Sequence, residues 1–359
     1  MSKNANLSNA KKAKNDEFYT RLEDIEKELN SYDPKVFKDK VIFCNCDDPT
    51  SSNFWNFFHM NFNRLGLEKL ISTHYNMDGS PSYKMEYASK DPKDDVVLDK
   101  GIKKPLRGNG DFRSDDCIKL LKQSDLVVTN PPFSLFREYV AQLKQYNKEF
   151  IIWGNNNAIT YKEIFPLIKE GKMWLGYCVN KTCYFRLSHD YPKWDEKFTA
   201  KMHDGNCYGK VPAISTFTIG ANAKKSTLIC ILNMITMMLL KLAKSYKFLQ
   251  IPLDYTDIMG VPITFLDKYS PDQFEILGIT DRQNTSGLRT KKYMADDSKK
   301  YNDLNARGVV IKDGKYKAMY ARILVRNKHP EDYMNDAGNG DDLSKIKDYN
   351  FNHMPVSVF

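Results

Sequence analysis

A chain of 359 residues is long enough for a sizeable core and one or two domains, and 42% apolar residues with 21 Tyr, 20 Phe and 4 Trp mark it as globular. The polar, lysine-bearing amino terminus holds no apolar stretch that reads as a secretory signal, and seven scattered cysteines fit a reducing, cytoplasmic setting better than a disulfide scaffold. The net charge of +9 is unevenly placed: residues 282–328 carry 13 Lys/Arg against four Asp/Glu, a surplus equal to that of the whole chain, which points to a polyanionic partner.

Residues 1–16 read as a polar arm. Thr20-x-x-Glu23 has the form of a capping box, opening a short helix with Leu22, Ile25 and Leu29 on one face. Residues 40–44 read as a first strand. After the loop Asn45-Cys46-Asp47-Asp48-Pro49, helical spacing of Phe54, Phe57, Phe58, Phe62 and Leu65 predicts a helix that ends at Gly66 and turns its aromatic stripe to the core. Residues 70–74 form a second predicted strand, and the Asp-, Lys-, Pro- and Gly-rich stretch 79–110 a loop. A strand at 125–129 then precedes a helix through Phe136, Tyr139, Val140 and Leu143, a strand at 150–153, a helix at 164–169 and a strand at 173–177. This alternation predicts an α/β fold with a mostly parallel sheet. The later half is less regular, with a predicted hairpin over 309–325 around Asp313-Gly314, a pair suited to a type I′ turn. Cys44 and Cys46 form a lone C-x-C without a partner pair, and the six histidines have no ligand spacing, so no metal site is predicted.

The most informative stretch is Asn130-Pro131-Pro132-Phe133, at the end of the apolar 125–129 run. Neither proline can donate to a ladder, so the strand stops there. An amide, backbone carbonyls and an aromatic ring are left at its carboxyl end, where open α/β sheets bind ligands. Such groups suit a planar exocyclic amine, whose lone pair is delocalised into a ring. The Asn130 side-chain oxygen and the Pro131 carbonyl can accept from its two N–H bonds, favouring a pyramidal, nucleophilic nitrogen, while Phe133 stacks on the base. Catalysis is then positioning and electrostatics, and a base paired in a duplex must be flipped out. A donor belongs across the ends of the first strands, in the loop 45–53. There Asp47 or Asp48 is suited to ribose hydroxyls or an ammonium group, beside backbone N–H groups suited to a carboxylate. Asp111 can accept from a donor's adenine amine with Phe112 against the ring. No Walker loop, G-x-G-x-x-G, H-E-x-x-H or G-x-S-x-G is present, which removes support from NTPase, dehydrogenase, metalloprotease and hydrolase readings. Asn-Pro-Pro-aromatic motifs also serve amines of RNA and protein amides, which stay as alternatives beside a DNA-binding protein without activity.

Together these residues resemble the EcoRI-type adenine-specific DNA methyltransferases. The segment Lys14 to Thr20 resembles that family's amino-terminal motif, Val41 to Pro49 its first-strand motif, and Asn130 to Phe133 its catalytic motif; Met259 to Tyr269 and Phe274 to Gly278 also match. The resemblance implies a Rossmann-like methyltransferase sheet, S-adenosylmethionine as methyl donor and N6 of adenine in double-stranded DNA as target. It also implies donor contacts from Phe18, Tyr19 and Thr20 and from Asn45. A catalytic domain over 17–200 is then followed, over 201–359, by the remaining sheet elements and a less regular α+β recognition region. Lys312, Lys315, Lys317, Arg322 and Arg326 are its candidate phosphate contacts. The first-strand motif lacks the glycine-rich loop common in other methyltransferases.

Residues 218–250 depart from this pattern. No Asp or Glu occurs between Asp204 and Asp254, and residues 227–240 are an apolar Met/Leu/Ile run, too short and too interrupted by Asn233 to span a membrane. We read this as a shifted reading frame. Methionine has one codon, so in the shifted frame the Met234–Ile235 and Met237–Met238 junctions each become GAT, aspartate. Permitted codons elsewhere give an acidic, tyrosine-bearing stretch like the one the family carries before Ile251-Pro252 and Asp254-Tyr255.

Overall fold

The computed structural model describes residues 19–88, 101–186, 201–203, 206–220, 256–281, 292–305, 309–312, 314–318 and 320–330, with the backbone alone at 201–203, 206–207 and 310–312. The chain divides into two compact units, 1–158 with 170–224 and 159–169 with 225–359.

The first unit holds strands β1 (Tyr19–Thr20), β2 (Val41–Cys44), β3 (Lys69–Thr73), β4 (Tyr83–Tyr87), β5 (Ile102–Pro105), β6 (Leu126–Thr129), β7 (Glu149–Asn155), β8 (Trp174–Leu175), β9 (Lys181–Arg186), β10 (Lys201–His203) and β11 (Asn206–Ile219). Its helices are α1 (Leu22–Leu29), α2 (Asn53–Met60), α3 (Phe62–Leu65), α4 (Asp115–Gln123) and α5 (Phe136–Gln145). The strands form one mixed sheet in the order β1-β9-β11-β7-β6-β2-β3-β4-β5, with β8 and β10 also pairing on β11. The four central strands β7-β6-β2-β3 are parallel. Their short apolar runs are buried on both faces, as parallel strands between helices require: Ile42, Phe43, Leu70, Ile71, Leu126, Val127, Ile151 and Ile152 have no exposed surface. The crossover from β2 through α2 and α3 to β3 and that from β6 through α5 to β7 run in opposite directions along the sheet. Right-handed crossovers therefore put their helices on opposite faces. The strand order reverses between β2 and β6, which opens a crevice at their carboxyl ends.

On one face, Ile25 and Leu29 of α1 and Phe54, Trp55, Phe57 and Phe58 of α2 join Ile42, Cys44, Leu70, Val128 and Trp153 in a single apolar cluster. The aromatic stripe is core, as its spacing predicts, and Gly66 ends α3 with φ +64°. The capping box does not form. Thr20 pairs with Phe185 in the β1–β9 ladder, and α1 starts after Arg21 without a side-chain cap; ladder geometry takes Thr20 out of the N-cap role.

Two expectations about the sheet are corrected. It is parallel only at its centre, since β4 and β5 and the β11-β9-β1 flank pair antiparallel. The connection from β3 to β4 is too short for a crossover helix, so the chain must return antiparallel. Residues 79–110 are also not all loop, because they contain β4 and β5. Their charge conceals them: Glu86 on β4 is almost buried, yet pairs with Lys69, Lys84 and Lys104 at 3.2, 2.7 and 2.7 Å. Burial alone would raise the Glu86 pKa, but the hydrogen bonds from Lys104, Lys84 and Lys69 outweigh it and lower the value to about 2.

The second unit holds α6 (Phe165–Lys169), β12 (Met259–Pro262), β13 (Phe274–Ile279), α7 (Tyr301–Leu304), β14 (Val309–Lys312), β15 (Lys315–Ala318) and β16 (Arg322–Asn327). Lys169 Nζ donates to the Leu277 carbonyl at 2.8 Å. The predicted hairpin is shorter than 309–325. Strands β14 and β15 pair around Gly314, φ +70°, but residues 322–327 leave them to become the middle strand of the sheet β12-β16-β13. That placement buries Ile323 and Val325 completely against two neighbours, which a two-stranded ribbon cannot do. Residues 221–255, with most of the 218–250 stretch, and residues 282–291 of the basic region lie outside the described residues. Among the described residues no helix is long and apolar enough to cross a membrane.

Candidate active site

The ends of β2 and β6 lie side by side at the crevice, with Phe43 opposite Val127 in the ladder. The loop leaving β2 is tied down from three elements. The Thr129 hydroxyl at the end of β6 bonds the Asn45 carbonyl and reaches Asp47 Oδ2 at 2.6 Å. Ser72 of β3 shares its hydroxyl between the Cys44 and Asp47 carbonyls at 2.8 and 2.9 Å. Tyr139 of α5 donates to Asn45 Oδ1; burial pushes this phenol's pKa well up, so it stays a donor. Cys46, between the fixed residues, has φ +69°, a left-handed conformation a non-glycine residue adopts only when its surroundings impose it.

These ends open into a cleft that is continuous with solvent. Its walls come from five places. Cys46, Asp47 and Asp48 follow β2, and His74 and Tyr75 follow β3. Gly110, Asp111, Phe112 and Arg113 precede α4; Asn130, Pro132 and Leu135 follow β6; and Tyr19 comes from β1. Asn130 is 7% exposed and Asp47 5%, so both present little more than their edges. Burial alone raises the Asp48 carboxyl, but hydrogen bonds from Thr50 and Tyr83, with the nearby His74, more than offset this and hold it below the usual carboxylate range. Arg113 does the same for Asp111 through its backbone N–H at 2.8 Å and its guanidinium at 2.9 and 2.7 Å. A Cβ at Gly110, where φ is +83°, would lie 1.8 Å from the His74 carbonyl, so only glycine lets this loop pass. Phe112 meets Tyr139 edge-on at 5.0 Å. Charge and aromatic surface thus share one cleft whose walls are fixed by side-chain hydrogen bonds.

Of the residues singled out in the sequence, Tyr19, Asp47, Asp48, Asp111, Phe112, Asn130 and Pro132 line the cleft. Thr20, Asn45, Pro131 and Phe133 do not. The Thr20 carbonyl accepts from Asn53 Nδ2 at 2.8 Å, Asn45 is buried beneath the loop, Pro131 is buried, and the Phe133 ring packs on the core cluster, edge-on to Phe185 at 6.3 Å. Phe18 lies outside the described residues. His74, Tyr75 and Arg113 were not anticipated. His74 had a signal, its place at a predicted strand's carboxyl end, and Arg113 had one in its spacing from Asp111. In the second unit Lys315, Lys317 and Arg326 are exposed, while Arg322 is half-buried and burial lowers its pKa. Lys312 ends β14, where only the backbone is described.

The profile of the family described as adenine-specific methyltransferase EcoRI matches residues 6–328. The chain belongs to that family. The Type II methyltransferase M.MpnI of Mycoplasma pneumoniae is 38% identical over 336 residues, covering 90% of this chain and 98% of the relative. M.MgeORF184P of Mycoplasma genitalium is 42% identical over 287 residues, 76% of this chain and 85% of the relative. M.EcoRI of Escherichia coli is 38% identical over 359 residues, 91% of this chain and 99% of the relative. No solved structure matches the chain. Every residue lining the cleft, Tyr19 through Leu135, falls within the span matched to the EcoRI family, and so do the basic residues from Lys312 to Arg326.

Proposed function

We propose that this site-specific DNA methyltransferase transfers the methyl group of S-adenosylmethionine to N6 of an adenine flipped from double-stranded DNA, and that its catalytic sheet is Rossmann-like. The observation that carries the reading is the meeting, in one cleft across the β2/β6 crevice, of Asn130 with the acidic residues Asp47, Asp48 and Asp111. The cleft fits such a donor. Its carboxylates suit hydroxyls and an ammonium group, and Phe112 offers an aromatic edge beside Asp111. When bound, the donor supplies a methyl carbon activated by its sulfonium. Asp47 or Asp48 takes the ribose hydroxyls or the ammonium group, Asp111 accepts from the adenine amine, and Tyr19 closes the wall beside them.

On the target side, the Asn130 side-chain oxygen accepts from an N–H bond of the adenine amine. Withdrawing that hydrogen from the ring plane would restore the lone pair, leaving the nitrogen able to take up the methyl group while the sulfur of the donor would keep the bonding pair. The methylated nitrogen then sheds one proton to solvent. No general base is needed before attack, so the chain's contribution is alignment and electrostatic stabilisation. Lys312, Lys315, Lys317, Arg322 and Arg326 serve as phosphate contacts. The test is competition with labelled donor among duplex DNA, RNA and protein acceptors. Label should enter duplex DNA alone; transfer to RNA or to a protein amide would overturn the assignment.

A further inference from the structure

We propose that Tyr83 is a positioning residue for the donor half of the cleft: its hydroxyl fixes the Asp48 carboxylate so that the carboxylate accepts from the vicinal hydroxyls of a nucleoside donor. The proposal rests on the donor reading above. Tyr83 lies on β4, inside the stretch whose charge conceals its strands, and it does not itself line the cleft. Its hydroxyl donates to Asp48 Oδ1 at 2.7 Å. The Thr50 amide donates to the same oxygen at 3.0 Å, and the Thr50 hydroxyl lies 2.9 Å from both carboxylate oxygens. The Ser51 hydroxyl adds a longer bond to Oδ2 at 3.4 Å, so four donors, one of them from β4, set the plane of a carboxylate that lines the cleft.

The tyrosine is itself held. The His74 ring stacks on it, 4.9 Å away and 10° from parallel, and the Lys103 ammonium sits 3.6 Å from its ring centroid. His74 Nδ1 is 2.8 Å from the Ser82 hydroxyl, which donates to the His74 carbonyl at 2.7 Å. The absent Cβ of Gly110 leaves room for that same carbonyl, so the loop bearing Asp111 rests on the residue that clamps Tyr83. Burial and the bond to Asp48 push the phenol up to about 12, which keeps it a donor at any working pH. One network thus joins both acidic walls of the donor half, and its consequence is specific to the hydroxyls that Asp48 would hold.

The experiment is calorimetry of the full chain with S-adenosylhomocysteine and with its 2′,3′-dideoxy counterpart, across wild type, Y83F, D48N and the double variant. Wild type binds the hydroxylated ligand, and Y83F weakens it roughly tenfold, as expected for losing one charge-assisted hydrogen bond acting through a second residue. The double variant binds no worse than D48N, and the dideoxy ligand is indifferent to Y83F. Additive losses from the two substitutions, or an equal loss on the dideoxy ligand, would reduce Tyr83 to a structural residue and overturn the proposal. No binding of either ligand by folded wild type would overturn the donor reading itself. Should Y83F fail to fold, T50V, which removes the Thr50 hydroxyl from Asp48, gives the same pattern if the proposal holds and an additive, hydroxyl-independent one if it does not.

Discussion

Asn130 owes its place to the two prolines that follow it. They end β6 abruptly, so the residue that would have continued the ladder lines the cleft instead, only 7% exposed. Its acceptor is needed only as the amine pyramidalises. Asn130→Ala should therefore lower the rate of methyl transfer by about 10²- to 10³-fold, the usual loss for one preorganised transition-state partner. Donor and DNA affinity should stay close to wild type in titrations, and retained turnover would refute the role. Thr129 carries structure instead of chemistry. Thr129→Val leaves the buried Asp47 carboxylate and Asn45 carbonyl without their shared hydroxyl, and should cost about 1–3 kcal/mol of unfolding free energy in urea titrations. Legibility in the sequence divides along the same line. Asn130, Asp47 and Asp111 could be read because each sits at a predicted strand end or in a short motif. Tyr83 could not, since it lies on a strand that charge concealed, and Arg113 was signalled only by its spacing from Asp111. Phe133 was expected over the base; its ring, partly buried, packs on the core cluster.

The elements that frame the site differ in how plainly they announce themselves. Strands β2, β3, β6 and β7 were legible because burial on both faces demands short continuous apolar runs. The hairpin of β4 and β5 was not, because one almost buried carboxylate among three lysines lets charged residues lie flat on a sheet edge. That arrangement predicts a pH dependence. Folding lowers the Glu86 pKa from 4.5 to about 2, so its contribution to stability is present in full above about pH 4.5 and is lost as the pH falls toward 2. Glu86→Gln should lower stability at pH 6 and flatten the decline between pH 4.5 and 2.5 in urea titrations; an unchanged acid profile would mean that the lysines do not engage the carboxylate in solution. Strand β16 carries a related lesson. Strands β14 and β15 do pair as predicted, but two buried β-branched residues outweigh local hairpin continuity and carry the chain into another sheet.

For the whole molecule, a net charge of +9 concentrated late in the sequence matches a polyanionic substrate. Replacing Lys315 and Lys317 by alanine should weaken DNA binding at every sequence and reduce the slope of log affinity against log salt by about 2, one unit for each phosphate no longer neutralised. An unchanged slope would remove that hairpin from the interface. The reading-frame argument for residues 218–250 also has a direct check. Resequencing the gene should find two compensating insertions or deletions flanking the segment, and an intact conventional frame would end it. Methyl transfer itself tests the central claim most directly. Plasmid DNA incubated with labelled S-adenosylmethionine and this chain, then digested to nucleosides, should carry its label as N6-methyladenine at one short sequence, and the Asn130→Ala chain should leave that site almost unlabelled over the same time. Label on another base or another macromolecule, or undiminished labelling by Asn130→Ala, would contradict the account.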